Sequence, residues 1–205
     1  MPRAANQAKP PLRGHPIEVC ILAGGQSVRM GRDKARIRLG SRTLLGHARV
    51  AARALGLPVR VIRRDLVPRC GPLGGIFTAL ATTRAAAVLF LSCDMPFITP
   101  ALLLRVIQAN RTKRAKAFGV FTTSSEGAGF PFLIEREALP QVENQIERGE
   151  RSIQSLARVL RVKRLRLPRA LSPQLTNLNT PAELSEAKRS SASAPHLRLS
   201  NRDGS

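Results

Sequence analysis

The chain has no tryptophan, no tyrosine and only seven phenylalanines. Scarce aromatics leave few of the stacking platforms on which single-stranded nucleic acid is held. There are three cysteines, Cys20, Cys70 and Cys93, with no CxxC pair and no histidine cluster nearby. That excludes a disulfide framework and the usual zinc spacings, suits a reducing compartment, and leaves the three thiols as small buried hydrophobes. Long apolar runs are also missing. The longest, Ala85 to Leu91, is far short of the ~20 residues that span a bilayer. Met1 to Pro16 is polar, basic and proline-rich, without the apolar stretch of a signal peptide. The expectation is a soluble, cytoplasmic protein with no membrane partner.

Acid is scarce as well: 13 Asp plus Glu stand against 34 Lys plus Arg, a formal net charge of +21. Such a surface draws polyanions, whether nucleic acid, phosphorylated small molecules or acidic proteins. The arginines are spread along the whole chain rather than gathered in a block, which disfavours nucleic acid as the main partner. A basic nucleic-acid-binding protein remains the reading from another class, and it would be indifferent to changes at single carboxylates.

With 205 residues, 43% of them apolar, the chain can build one compact domain. Residues 1–16 and 189–205 read as flexible tails around a domain at 17–188. Short apolar runs alternate with helical patterns between them. Strands are expected at 17–22, 59–62, 88–92 and 117–122, with part of a fifth at 132–134. Helices are expected at 44–55, 74–83, from Thr99-Pro100 onward, near 135–146 and at 151–160. This alternation implies an α/β domain of three layers with a mostly parallel sheet, its site beyond the strand C-termini.

Every chemically suggestive motif falls at such an end. The first strand leaves through Leu22-Ala23-Gly24-Gly25-Gln26-Ser27-Val28-Arg29-Met30-Gly31-Arg32-Asp33-Lys34. Paired glycines let backbone N–H groups approach an anion closely, and Ser27 adds a hydroxyl. Arg29 and Lys34 can neutralise a triphosphate from opposite sides. The spacing is neither that of a Walker A loop nor GxGxxG. Asp94 ends the third apolar strand in Ser92-Cys93-Asp94-Met95-Pro96, where a lone carboxylate can hold Mg²⁺ together with substrate phosphates, or simply cap a turn. Asp65 precedes the turn Gly71-Pro72-Leu73-Gly74-Gly75 and can accept from a base or a ribose hydroxyl. Asn177 and Asn179 stand ahead of Thr180-Pro181-Ala182-Glu183, a capping box, where two amides can bind a polar heterocycle or phosphate.

The loop at 22–34, the strings Cys93-Asp94-Met95-Pro96 and Gly71-Pro72-Leu73-Gly74-Gly75-Ile76, and Asn177-Leu178-Asn179-Thr180-Pro181 resemble those of nucleotidyltransferases with a Rossmann-like fold. Within these, the chain is most similar to the molybdenum cofactor guanylyltransferases, over residues 17 to about 187. The resemblance implies a Rossmann-like domain that transfers GMP from GTP to molybdopterin and releases pyrophosphate. It assigns Leu22, Ala23 and Gly24 to nucleotide binding, with Gly25 and Ser27 in the same loop. Lys34 becomes the triphosphate lysine, Asp65 a nucleotide contact, Asp94 the Mg²⁺ ligand, and Asn177 and Asn179 pterin contacts. Arg29, Lys34 and Asp94 form the catalytic set. Acceptor molybdoenzymes or chaperones would be its protein partners. The chain departs from the family between Gly56 and Asp65, a short stretch without the family's usual Asn. A cytidylyltransferase on the same pterin, or a sugar-phosphate nucleotidylyltransferase, keeps the chemistry and changes the substrate.

Overall fold

A computed structural model describes residues 17–24, 34–112, 117–125 and 127–193. Its centre is a six-stranded sheet in the order β4-β1-β5-β7-β6-β8. The strands are β1 Ile17–Leu22, β4 Val59–Ile62, β5 Ala87–Ser92, β6 Gly119–Ser124, β7 Gly127–Glu135 and β8 Lys163–Arg166. A two-stranded ribbon, β2 Arg38–Leu39 with β3 Arg42–Thr43, stands apart. The helices are α1 Leu44–Arg53, α2 Pro72–Thr82, α3 Pro100–Arg111, α4 Leu139–Glu147, α5 Ile153–Val159 and α6 Pro181–Ser193.

β5 is apolar up to Ser92, and β1 is apolar except for Glu18, which pairs with Arg60 at 2.9 Å, because both strands are covered on both faces. Val19, Ile21, Leu89 and Leu91 pack with Leu45 and Ala48 of α1 and Leu103 and Val106 of α3. On the opposite face Cys20, Val88 and Phe90 meet Leu73 and Ile76 of α2, Val142 of α4 and Leu156 of α5. Phe132 of β7 stacks on Phe121 with ring centroids 4.3 Å apart. These are the three layers that the alternating pattern implies. Cys20 and Cys93 are buried, all three cysteines are free, and burial pushes the Cys20 thiol up to about 12.

β1 runs parallel to β4 and β5, and β6 runs parallel to β8. β7 is antiparallel to both of its neighbours. The reason is local, since the connection from Ser124 to Gly127 is far too short for a parallel crossover. Strand order reverses around β1, whose neighbours are β4 on one side and β5 on the other. A crevice therefore opens beyond the C-terminal ends of these three strands.

Several elements differ from the sequence reading. α2 starts at Pro72 rather than Gly74, using proline at its first position. β8, Lys163-Arg164-Leu165-Arg166, escapes a search for apolar runs because it is a charged edge strand. α6 continues to Ser193, past the domain end expected at 188, since no proline interrupts the chain before Pro195. Among the described residues no helix is long and apolar enough to cross a membrane.

Candidate active site

β1 delivers the first residues of the site. Ala23 N–H donates to Ile62 O at 2.9 Å and Cys93 N–H to Leu22 O at 3.1 Å, so the turn after β1 is stitched to the ends of β4 and β5. A Cβ on Gly24 would lie 3.0 Å from Arg63 O, a close approach that suits glycine. Gly25, Ser27 and Arg29 lie outside the described residues.

Lys34 opens a short 3-10 turn, Lys34–Arg36, and its ammonium reaches back across the crevice. Nζ donates to Asp94 Oδ2 at 3.2 Å and to Asn179 Oδ1 at 2.6 Å. Ser92 Oγ donates to the other carboxylate oxygen, Asp94 Oδ1, at 2.6 Å. The Lys34 and Asp94 side chains are only 19% and 15% exposed, so the pair is largely screened from solvent. An ammonium carries three donors. Two are engaged by described residues, and among those residues nothing takes the third, which is open to an incoming oxygen.

Asn179 is fixed from its own side. Leu178, 1% exposed, anchors the segment in a small cluster with Leu39, Leu44 and Ala187. Leu178 N–H donates to Asp94 O at 2.9 Å. The capping box forms: Glu183 Oε2 accepts from Asn179 N at 2.6 Å and Thr180 N at 3.1 Å, while Thr180 Oγ1 accepts from Glu183 N at 3.2 Å. Those bonds leave the Asn179 side chain free to face Lys34.

Asp65 lies at the opposite end of the crevice, against the first turn of α2. A Cβ on Gly74 would sit 2.8 Å from Asp65 Oδ2 and 2.8 Å from Val67 O, so only glycine lets the carboxylate come this close. Thr78 Oγ1 accepts from Leu66 N at 2.8 Å and donates to Gly74 O at 2.7 Å, holding the loop to the helix. Partial burial raises the Asp65 carboxyl above its ordinary value.

Two cavities meet at Asp94. The larger, about 1160 Å³, takes in Leu22, Ala23, Gly24, Lys34, Asp65, Gly71, Gly75 and Asp94. The smaller, about 370 Å³, is lined by Met95, Thr122, Gly129, Gln154 and Asn177. Pro72, Ser92, Asp94 and Phe130 belong to both. Two reactants can thus approach one carboxylate from different sides. Every described residue expected in the site lines one of these cavities or, as Asn179 does, holds Lys34. Asn177 and Asn179 are placed differently: Asn177 lines the smaller cavity, and the Asn179 side chain accepts from Lys34.

The sequence did not reveal Arg151 or Gln154. Arg151 lines the larger cavity. Gln154 Oε1 accepts from Ala128 N at 2.9 Å and its Nε2 donates to Ala128 O at 2.7 Å, as a neighbouring strand would. Its motif-free setting, Ser152-Ile153-Gln154-Ser155, carries no signal; only the fold brings it to β7.

Metal binding by protein alone requires more ligands than are present, since no group of three or more His, Cys, Asp or Glu among the described residues could hold an ion. A single carboxylate at an open crevice fits Mg²⁺ when a phosphorylated substrate shares the ion, since Mg²⁺ takes one or two carboxylates and fills its octahedron with substrate oxygens and water.

Comparison with known proteins bears on the family and the fold. The model of the MobA-like NTP transferase domain matches residues 19–67 and 48–165. Molybdenum cofactor guanylyltransferase from Pseudomonas paraeruginosa is 30% identical over 188 residues, covering 83% of this chain and 94% of that protein. The protein of the same name from Pseudomonas aeruginosa PAO1 is 30% identical over 183 residues, covering 81% and 91%. Among solved structures, molybdopterin-guanine dinucleotide biosynthesis protein A from Archaeoglobus fulgidus superposes with a TM-score of 0.69 at 19% identity, over 86% of this chain and all of that one. 4-Diphosphocytidyl-2C-methyl-D-erythritol synthase from Anaerococcus prevotii gives 0.66 at 13% identity, over 87% and 99%. The last two speak for the fold alone. The family model and sequence likeness over nearly the whole domain lead to one assignment: the chain belongs to the MobA-like NTP transferase family.

Proposed function

We propose that this chain transfers GMP from GTP to the phosphate of molybdopterin, giving the guanine dinucleotide form of the molybdenum cofactor and pyrophosphate. The observation that carries the reading is Lys34, whose ammonium bridges Asp94 Oδ2 and Asn179 Oδ1 where two cavities meet. A terminal phosphate oxygen of the acceptor forms the new bond to the α-phosphorus, and the α–β bridge breaks. The nucleophile is already anionic, so no strong general base is needed. The one histidine among the described residues agrees, because His47 Nε2 is within 2.9 Å of Leu39 O and lines neither cavity.

Rate acceleration then rests on position and charge. The nucleotide occupies the larger cavity, its phosphates along the turn after β1 and its base toward Asp65. Lys34, preset by two partners, offers its third N–H to a phosphate oxygen. Ser92 fixes the Asp94 carboxylate through Oδ1. Asp94 would hold Mg²⁺ with the substrate phosphates, and the ion when bound would offset charge gathering on the departing pyrophosphate. Asn177 and the backbone of β7 from Gly127 to Phe130 face the acceptor in the smaller cavity. Free thiols and the absence of a membrane-spanning helix among the described residues suit a reaction in the cytoplasm.

The test is to supply the full chain with molybdopterin, Mg²⁺ and GTP, CTP, ATP or UTP in turn, reading pyrophosphate and the dinucleotide by mass. GTP is expected to give both. A preference for CTP would make the chain a cytidylyltransferase, and no pyrophosphate with any triphosphate would overturn transfer altogether.

A further inference from the structure

β7 outruns the strand beside it. Its pairing with β5 ends at Phe90 opposite Phe132, so the stretch from Gly127 to Phe130 continues past the last β5 partner. On its other side the same stretch pairs with β6, with Ala128 opposite Thr123. In an antiparallel pair, opposed residues alternate between exchanging both backbone bonds and turning them away. Ala128 turns them away, because its N–H donates to Gln154 Oε1 at 2.9 Å and its C=O accepts from Gln154 Nε2 at 2.7 Å. One side chain thus takes the place of the missing strand. Glycine at 127 permits the approach, since a Cβ there would lie 2.6 Å from Gln154 Nε2. The helix that carries Gln154 is anchored elsewhere as well. Ser152 caps α5, Ser155 Oγ donates to Gln145 Oε1 of α4 at 3.1 Å, and Leu156 and Ala157 are buried in the core.

Gly127, Ala128, Gly129 and Phe130 form one wall of the cavity that ends at Asp94, and Phe130 also lines the larger one. Two of these four residues are glycines, so much of the wall is bare backbone, of the kind that loses most freedom on being ordered. A wall so built keeps its shape only where something holds it. We propose that Gln154 is a positioning residue for the acceptor: by standing in for a strand at Ala128 it keeps the β7 backbone where it seats the acceptor against Asp94. This rests on the transferase reading for the identity of the acceptor. Gln154 acts through the wall, with its amide committed to backbone rather than to a reacting atom. Displacement of such a wall by about an ångström is enough to spoil the alignment of two reactants. The larger cavity draws most of its lining from β1, the turn before α2 and the end of β5, none of which depends on the clamp.

The experiment uses the full chain and three variants. Gln154→Met keeps the volume and loses both bonds, and Gln154→Ala loses the bonds and the volume. Ser152→Ala removes the cap of α5 without touching Ala128, and Ser152 lines neither cavity. Hydrogen exchange at the Ala128 amide, followed by NMR without substrate, should quicken about tenfold in both Gln154 variants and not in Ser152→Ala. The Kd for molybdopterin, measured by calorimetry, should rise roughly tenfold in the Gln154 variants, while that for GTP with Mg²⁺ stays within about twofold of wild type in all three. Unchanged exchange in Gln154→Met would show that no clamp operates. Wild-type molybdopterin affinity in Gln154→Met would reduce the side chain to filler. An equal loss for GTP, or an equal loss in Ser152→Ala, would reduce it to general stability. Each of these results overturns the proposal. If the wild type transfers no GMP while its molybdopterin affinity still depends on Gln154, the transfer reading fails and the positioning stands. A wild type that binds no molybdopterin would overturn the acceptor assignment and the proposal with it.

Discussion

Replacing Lys34 with alanine removes the ammonium at the junction of the two cavities and leaves Asp94 Oδ2 and Asn179 Oδ1 without their shared donor. Stability should fall moderately. The pair is largely screened from solvent, so removing the cation leaves a partly buried carboxylate without its partner, at ~1–3 kcal/mol. For a chain of this size that corresponds to a fall in Tm of roughly 2–12 °C. The Asn179 backbone stays tied to Glu183, so the segment keeps its place. Turnover should suffer far more, because one preorganised donor aimed at charge developing in a transition state is worth ~3–4 kcal/mol, or ~10²–10³ in kcat. Initial rates of pyrophosphate release at saturating GTP and acceptor, with Tm by differential scanning fluorimetry, measure both quantities on one preparation. Lys34→Arg keeps the charge but must seat a larger planar group between two partners, and its rate should fall between wild type and alanine. A folded Lys34→Ala protein turning over within threefold of wild type would refute the argument that this contact drives the reaction.

Asp94→Asn should raise the Mg²⁺ concentration needed for half-maximal rate more than it raises KM for GTP, since the amide keeps the shape and loses the charge; an unchanged Mg²⁺ titration would place the ion elsewhere. Gly74→Ala puts a methyl group 2.8 Å from Asp65 Oδ2 and Val67 O and should cost ~1–3 kcal/mol, read as a lower urea midpoint; no shift would mean that the loop yields freely. Asp65→Ala should narrow the GTP-to-CTP ratio of kcat/KM, because guanine's ring N–H and amino group lose their acceptor; an unaltered ratio would remove Asp65 from base recognition. The carboxyl of Asp65 is raised above 3.8 by burial, so the fold binds its proton more tightly than the unfolded chain does and loses that stability as pH rises through the window above 3.8. Asp65→Asn should therefore be at least as stable as wild type at pH 7, with the difference shrinking toward pH 3; lower stability at neutral pH would contradict the sign.

The strands that carry the site were readable because burial on both faces makes them largely apolar, as in Ala87–Ser92 and, apart from Glu18, Ile17–Leu22. Their C-terminal motifs were readable for the same reason, since a polar string after such a run marks the crevice. Lys34, Asp65 and Asp94 were singled out in this way, and Asn177 by its place ahead of a capping box. The division of labour between Asn177 and Asn179 was not, because it depends on Leu178 being drawn into a core cluster between them. β8 and the β2–β3 ribbon went unseen, both being short and charged; β8 is also held by a strand distant in sequence, whereas β2 and β3 pair with each other. Gln154 was invisible on any local criterion, since its two bonds go to the backbone of a strand rather than to a recognisable side chain.

Lys34 and Asn179 are 145 residues apart along the chain. A ribosome extruding this protein in order releases the β1 crevice, its lysine and Asp94 long before the asparagine that completes the arrangement. Loop closure on that scale is paid late in folding, so the nascent chain passes through a stage with the nucleotide crevice formed and its latch missing. Catalytic competence should then arrive as a single late event, after Leu178 docks and α6 forms, and not grow in step with chain length.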